Sequence, residues 1–404
     1  MDTYLVFGLF PKEIQNDVYK NSKRDIQNAA NMLQWNIVKA LDEATNDNNK
    51  YTIINSMYVP SFPKGYKKLF IPSFTFSHKE GVIDYNVGFF NPFLLASQFK
   101  FWSLASFFKK KLNKKLNHTT IVIYALTLPF AKLCKYLKKK YKNIQICAIV
   151  PDLPQYMDTQ SKKKKWYKRI IKNNRIKTIY KCTKYIDKYI LLTESMKDDL
   201  KANKFLVMEG IAPYFKQFNY FNHEKKIILY AGTLNKKYGI LDLIEAFNIA
   251  SAKNDKLELQ IYGYGDSITK ILESSKLNNN IKYCGNITPL ELERRILQSD
   301  ILVNPRKNNE IFTKYSFPSK NLDYLSYGIP FIGFKLDGIP KEYFSIMIVP
   351  DSESNDDLAK KIIEVAAMNY EQRIKYYEKA KNFIINNKSC YQQGKRIVRF
   401  LNEG

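Results

Sequence analysis

The chain has 404 residues, which is too many for one ordinary hydrophobic core and fits two domains. Its content of 45% hydrophobic and 14% aromatic residues excludes a disordered chain. The balance of 65 Lys+Arg against 38 Asp+Glu leaves +27, which points to an anionic partner: phosphorylated ligands, an acidic bilayer surface or nucleic acid.

In chain order, Tyr4–Gly8 reads as a first strand. It has no basic lead or long apolar core before it, so a signal peptide is not indicated and a cytoplasmic location is expected. A helix from about Arg24 to Leu41 follows, then strands at Tyr51–Met57, Thr119–Leu126, Ile144–Val150 and Tyr189–Thr193. Between them, Asn91-Pro92 opens an apolar stretch that runs to Phe108 and ends in Lys109-Lys110-Lys111. At about 17 residues it falls short of the roughly 20 needed to span a bilayer, which leaves a buried helix with a basic end or an interfacial helix. Lys138–Lys140 and Lys162–Lys165, the latter followed by Trp166-Tyr167-Lys168-Arg169, are either a solvated face or contacts with an anionic membrane.

From Ile227 onward, short apolar runs alternate with helical stretches. Strands are expected at Ile227–Ala231, Leu257–Tyr262, Ile281–Cys284, Ile301–Asn304, Phe331–Phe334 and Met347–Val349. Helices are expected near 239–252, 266–275, 289–298, 318–327 and 355–367. This alternation is the mark of a parallel sheet covered on both faces. The polar stretch Pro213–Glu224 marks the boundary, giving domains at 1–213 and 225–385 and a helical, basic segment at 386–404. Such sheets bind ligands outside the carboxyl ends of their strands, so two of them facing each other would place a site in the cleft between.

The strongest local signal is Tyr315-Ser316-Phe317-Pro318-Ser319-Lys320-Asn321-Leu322-Asp323. Pro318 suits the first position of a helix, and Gly328 suits the residue after its end. Free N–H groups at that helix start, with the hydroxyl of Ser319 and the cation of Lys320, form an anion site suited to a diphosphate. Asp323 lies one turn on, where a carboxylate takes two ribose hydroxyls. Further turns of lower specificity follow other strands: Gly232-Thr233 with Lys237, the Gly263-Tyr264-Gly265 turn, and Gly285-Asn286. All four loops follow strand C-termini of one sheet.

The run Ile228–Val349 resembles the donor domain of family 4 glycosyltransferases of the GT-B fold, in the bacterial capsular and exopolysaccharide branch. The matching segments are YAGTLNKKYGI (230–240), IYGYGD (261–266), ILVNPR (301–306), YSFPSKNLDYLSYGIP (315–330) and GIPKEY (338–343). In the N-terminal half FGLFP (7–11), QNAANMLQWNI (27–37), VPDLPQYM (150–157), LLTESM (191–196) and VMEGIA (207–212) match as well. The resemblance implies α/β architecture with two Rossmann-like domains and a C-terminal helix returning to the first. It also implies a retaining transfer from a nucleoside-diphosphate sugar, with no cofactor and no essential metal. The acceptor would be a saccharide, lipid-linked or free, at an anionic membrane surface.

Two departures stand out. Of the family's two acidic residues, the second falls on Asp323, but the first falls on Tyr315. Thr233 stands at the position of a phosphate-binding Arg, leaving Lys237, Arg306 and Lys320 as replacements. Gly8 matches the glycine turn of the N-terminal domain, and Asp152 falls on the acceptor side. The catalytic candidates are therefore Asp152, Lys320 and Lys237. The donor-binding candidates are Gly8, Gly232, Thr233, Gly263, Asn286, Arg306, Tyr315, Phe317, Pro318, Ser319 and Asp323. The departures also keep open a catalytically inactive partner subunit; a nucleotide-sugar epimerase of the same fold is a further alternative, disfavoured because the matched motifs belong to transferases.

Other chemistries are poorly served. The five cysteines are scattered without CxxC spacing, and the three histidines form no HxH or HxxxH pattern, so no metal site is expected. A nucleic-acid partner is not expected either, because no binding module is present and the basic runs do not follow one groove-sized helix.

Overall fold

The computed structural model describes residues 2–24, 26–45, 51–112, 116, 118–157, 166–217, 223–309 and 311–403. The run Lys162–Lys165 lies outside them. The chain divides into two compact units, one of Met1–Ile211 with Cys390–Gly404, the other of Ala212–Ser389. The division falls at 211/212, ahead of the polar stretch expected to be the boundary. The reason is local: Phe215 packs its ring 5.3 Å from Tyr377, and the Lys216 N–H donates to the Ser326 carbonyl at 2.8 Å.

The first unit contains β1 (Thr3–Phe7), β2 (Tyr51–Asn55), β3 (Phe70–Ile71), β4 (Phe74–Phe76), β5 (Asp84–Asn86), β6 (Phe89–Phe90), β7 (Thr119–Tyr124), β8 (Ile144–Val150), β9 (Lys188–Leu191) and β10 (Phe205–Val207). Eight form one sheet in the order β10-β9-β8-β7-β1-β2-β5-β4, parallel except for the β4–β5 pair. Every residue of β7 (TTIVIY) is buried, as expected of a parallel strand covered on both faces. The helices are α1 (Gln15–Asn21), α2 (Asn28–Ala44), α3 (Ala96–Phe107), α4 (Leu128–Lys140), α5 (Trp166–Thr183) and α6 (Met196–Leu200).

Helix α3 forms from the apolar stretch after Pro92. Lys100, in its middle, points inward: its Nζ donates to the carbonyls of Met57 at 2.7 Å and Ser56 at 3.2 Å, and lies 4.5 Å from the Phe89 ring centroid. Burial, with Arg175 nearby, pushes that amine down to about 7. Among the described residues no helix is long and apolar enough to cross a membrane.

The second unit runs β11 (Lys226–Thr233), α7 (Ile240–Lys253), β12 (Leu257–Tyr264), α8 (Ile268–Leu277), β13 (Ile281–Gly285), α9 (Pro289–Leu297), β14 (Ile301–Asn304), α10 (Ser319–Leu325), β15 (Phe331–Gly333), α11 (Asn355–Ala366) and α12 (Tyr370–Phe383). Its sheet is wholly parallel, in the order β13-β12-β11-β14-β15. The strand expected at Met347–Val349 is a single bridge between Ile348 and Ile332. Side chains cap some of its helix starts: the Thr288 hydroxyl accepts from the Glu291 N–H, and Asn369 with Gln372 forms a capping box that opens α12. Buried Arg373 fixes α12 to the sheet by donating to the Asp300 carbonyl at 2.8 Å and the Val365 carbonyl at 3.2 Å.

The last helix, α13 (Cys390–Asn402), belongs to the first unit. It lies so close to α2 that a Cβ on Gly394 would sit 1.9 Å from the Ala40 carbonyl oxygen. Lys188 of β9 caps its C-terminus, with Nζ donating to the carbonyls of Phe400 at 2.8 Å and Leu401 at 3.3 Å.

Candidate functional site

In the second unit β11 and β12 end side by side, with Gly232 level with Gly263. Both take positive φ, 150° and 132°, and a Cβ on Gly263 would meet the Gly232 carbonyl oxygen at 1.9 Å. Only glycine permits this approach, and it leaves a shallow floor at the carboxyl edge of the sheet.

Helix α10 is latched onto that edge. The Tyr324 hydroxyl accepts from the Ala231 N–H at 2.9 Å and donates to the Ala231 carbonyl at 3.2 Å. Asn304 at the end of β14 donates its Nδ2 to Asn321 Oδ1 at 2.7 Å. This fixes Lys320, whose Nζ donates to the Tyr230 hydroxyl at 3.0 Å and stands 4.2 Å from that ring's centroid. The lysine head fills the space above Gly232, where an added Cβ would lie 1.8 Å from Nζ. Burial first, and Arg306 second, push the amine down to about 7, while Asp323 pulls the other way.

Arg306, just after β14, is 7% exposed, and its guanidinium lies 4.9 Å from the Phe312 centroid and 5.9 Å from that of Tyr238. Burial pushes its pKa down, and its Nη2 is buried without a hydrogen-bond partner among the described residues. Half-buried Lys237 stands over the same two rings, 5.0 Å from Tyr238 and 5.9 Å from Phe312. Lys237 and Arg306 thus share one pair of rings, and Lys320, over Tyr230, is close enough to Arg306 for its charge to be felt. Among the described residues, neither Arg306 nor Lys320 has a carboxylate in ion-pair contact. Such a group can hold a polyanion and stabilise charge that grows on it.

Pro318 is the N-cap of α10, not its first residue: its ψ of 101° is extended, and the helix proper begins at exposed Ser319 with no side-chain cap. Seven residues give a weak dipole, so the positive field here comes from the side chains of Arg306 and Lys320. Asp323 reaches solvent, yet protein surrounds much of its carboxyl, and burial, with Glu293 nearby, pushes it up to about 6 against the pull of Lys216 and Lys320. Thr233 and Asn286 are exposed at the same sheet edge, and half-buried Tyr315 lies beside Lys314, whose Nζ is 4.7 Å from its ring centroid. The Phe317 ring is buried, 5.2 Å from that of Tyr343.

Gly8 and Asp152 lie in the first unit, just beyond β1 and β8. The Gly8 N–H donates to Gln34 Oε1 at 2.8 Å, and a Cβ there would meet Tyr58 Cδ2 at 3.2 Å. Burial raises the Asp152 carboxyl. The sequence reading missed the parts played by Tyr230 and Tyr324 as supports of α10, and by Tyr238 and Phe312 beneath the cations. Among the described residues no three His, Cys, Asp or Glu side chains are grouped to hold a metal ion.

Residues 212–383, nearly the whole second unit, match the family described as glycosyl transferases group 1. The second unit is therefore a glycosyl transferase group 1 domain. The chain has the fold of GT-B enzymes. It is similar to sucrose-phosphate synthase from Thermosynechococcus elongatus, at 14% identity, 99% coverage of each chain and a TM-score of 0.61. It is also similar to an E. coli structure described as trehalose-6-phosphate bound with UDP-2-fluoro glucose, at 10% identity, a TM-score of 0.64 and coverage of 100% of this chain and 99% of that one. A third is a variant of S. aureus TarM in complex with fondaparinux, alpha-GlcNAc-glycerol and UDP, at 17% identity and a TM-score of 0.54. There the match covers 78% of this chain but 60% of the other, which is therefore much longer. No curated protein matches the sequence.

Proposed function

We propose that the protein is a glycosyltransferase that moves a sugar from a nucleoside-diphosphate donor to a saccharide acceptor, with retention at the anomeric carbon and without a bound metal. One observation carries the donor half: half-buried Lys320 lies over Gly232 and buried Arg306 lies near it, with no carboxylate in ion-pair contact with either among the described residues. Buried cations are costly when unpaired, and a diphosphate supplies the missing charge. As the bond from the anomeric carbon to the diphosphate oxygen breaks, negative charge grows on the leaving group. Lys320, Arg306 and Lys237 stabilise it in place of a metal. Asp323 takes the ribose hydroxyls. The UDP and UDP-2-fluoro glucose of the similar structures support a uridine nucleotide.

Asp152 contacts an acceptor hydroxyl, and the acceptor is a lipid-linked oligosaccharide at the cytoplasmic face of a membrane, in the building of capsule or exopolysaccharide. Incubation with radiolabelled UDP-, GDP- and dTDP-sugars and a membrane lipid extract tests this. Release of nucleoside diphosphate with label in the organic phase is expected. A second reading, a nucleotide-binding subunit without transfer, is favoured by Tyr315 in place of a carboxylate. Tight nucleotide binding with no transfer to any acceptor fraction would decide for it.

A further inference from the structure

The excess of positive charge is concentrated in one stretch. Between Asp84 and Asp187 the sequence holds 23 Lys and Arg and only two acidic residues, Asp152 and Asp158. This stretch builds α3, α4 and α5 of the first unit, and none of the three helices contains an acidic residue.

The same region exposes large apolar side chains. Phe93, Leu94 and Leu95 are consecutive and 51%, 76% and 55% exposed, and Phe70 and Trp102 are 68% and 53% exposed. Phe70 and Trp102 are joined through a chain of rings: Phe70 lies tilted against Phe90 at 5.1 Å, Phe90 meets Phe99 edge-on at 5.1 Å, and Phe99 meets Trp102 edge-on at 5.3 Å. Leu95, just before α3, and Trp102 and Ser106 within it follow helical spacing along its outer side, and exposed Lys109 and Lys110 follow its end. Lys64 stands over Phe93, 5.8 Å from its ring centroid. Arg175 of α5 reaches Ser97 at 3.5 Å, and exposed Ile171 lies one turn before it.

We propose that this face, formed by residues 93–95, Phe70, Trp102 and the lysines around them, docks onto an anionic lipid bilayer. Apolar side chains at the centre with cations at the rim are what the boundary of acyl chains and anionic headgroups accommodates. A nucleic acid offers nothing to three exposed aliphatic and aromatic side chains in a row, and a second copy of so basic a surface would repel its twin. The inference deepens the membrane part of the function proposed above. The cation cluster lies in the other unit, so donor binding and docking can be scored separately.

The test is flotation of the full chain with vesicles of phosphatidylcholine alone, or with one third phosphatidylglycerol, alongside UDP calorimetry on each variant. The wild type is expected to float with the anionic vesicles and to be released by high salt. Leu94→Glu/Leu95→Glu should bind them at least tenfold more weakly with UDP affinity kept, while Leu277→Glu, a 90% exposed site in the second unit, behaves as wild type. Vesicles of brominated phosphatidylglycerol give a second readout: they should quench the tryptophan emission, and Trp102→Phe should lose part of that drop. A wild type that binds UDP but no anionic vesicle overturns the proposal, as does a double variant that floats normally or a dimer that the double variant dissolves.

Discussion

Replacing Lys320 with methionine removes the cation above Gly232 while keeping most of its apolar volume. In the ligand-free protein its amine titrates near 7 instead of 10.5, chiefly because it is buried. A bound diphosphate favours the ammonium form and raises that value again, so binding above neutrality takes up one proton. Affinity should therefore fall as pH rises, by at most a factor of ten per pH unit, about 1.4 kcal/mol. From pH 7.5 to 9.0 the loss reaches about 30-fold, or about 2 kcal/mol. The nucleotide's terminal phosphate, with a second pKa of about 6, is already ionised over that range. Folding shows the opposite sign: the unfolded chain holds this proton up to about 10.5, so the ligand-free fold gains stability as pH rises from 7 towards that value. Calorimetry of UDP binding in two buffers of different ionisation enthalpy reads the proton directly. Lys320→Met should bind at least tenfold more weakly at pH 7.5 and show a flat profile. Wild-type affinity that is constant from pH 7.5 to 9.0 with no proton uptake would refute the reasoning.

Three further outcomes follow from the same geometry. Gly232→Ala puts a Cβ 1.8 Å from Lys320 Nζ and 2.2 Å from its Cε, so the flexible head must leave; nucleotide affinity should fall as far as in Lys320→Met while circular dichroism stays unchanged. Asp323 carries a carboxyl raised to about 6, so the folded state is penalised above that pH. Asp323→Asn should raise the Tm at pH 7.5, show no difference at pH 3, and weaken nucleotide binding; a lowered Tm at pH 7.5 contradicts this. Lys188→Met uncaps α13 and should cost about 1–3 kcal/mol, with amide exchange at 390–402 accelerating first. Unchanged exchange there would show that the cap does not hold the helix.

Much of the second unit was legible because strands and helices alternate at regular spacing and each has a clear period. Ile301–Asn304 has the bounds its four apolar-rich residues suggested, and Ile144–Val150 in the first unit does too. The strands between Phe70 and Phe90 were not legible, since two or three residues cannot show an alternation. The apolar stretch after Pro92 gave a helix, but its inward face was hidden in the sequence because buried Lys100 breaks the pattern and is satisfied by carbonyls 43 and 44 residues away. At the site, the motif located α10 but misplaced Pro318 by one position, a difference set by its extended ψ. Arg306 was a candidate cation only as a replacement for the phosphate-binding Arg that the resemblance implies. Its Nη2, without a partner among the described residues, and its seat on Phe312 and Tyr238 depend on loops meeting across the sheet edge, which no local pattern encodes.

The most direct measurement is a crystal structure with UDP bound. The account predicts its diphosphate within hydrogen-bond reach of both Lys320 Nζ and Arg306 Nη2, over Gly232, with the ribose at Asp323. A diphosphate bound elsewhere, with Arg306 Nη2 still unpartnered, would contradict it.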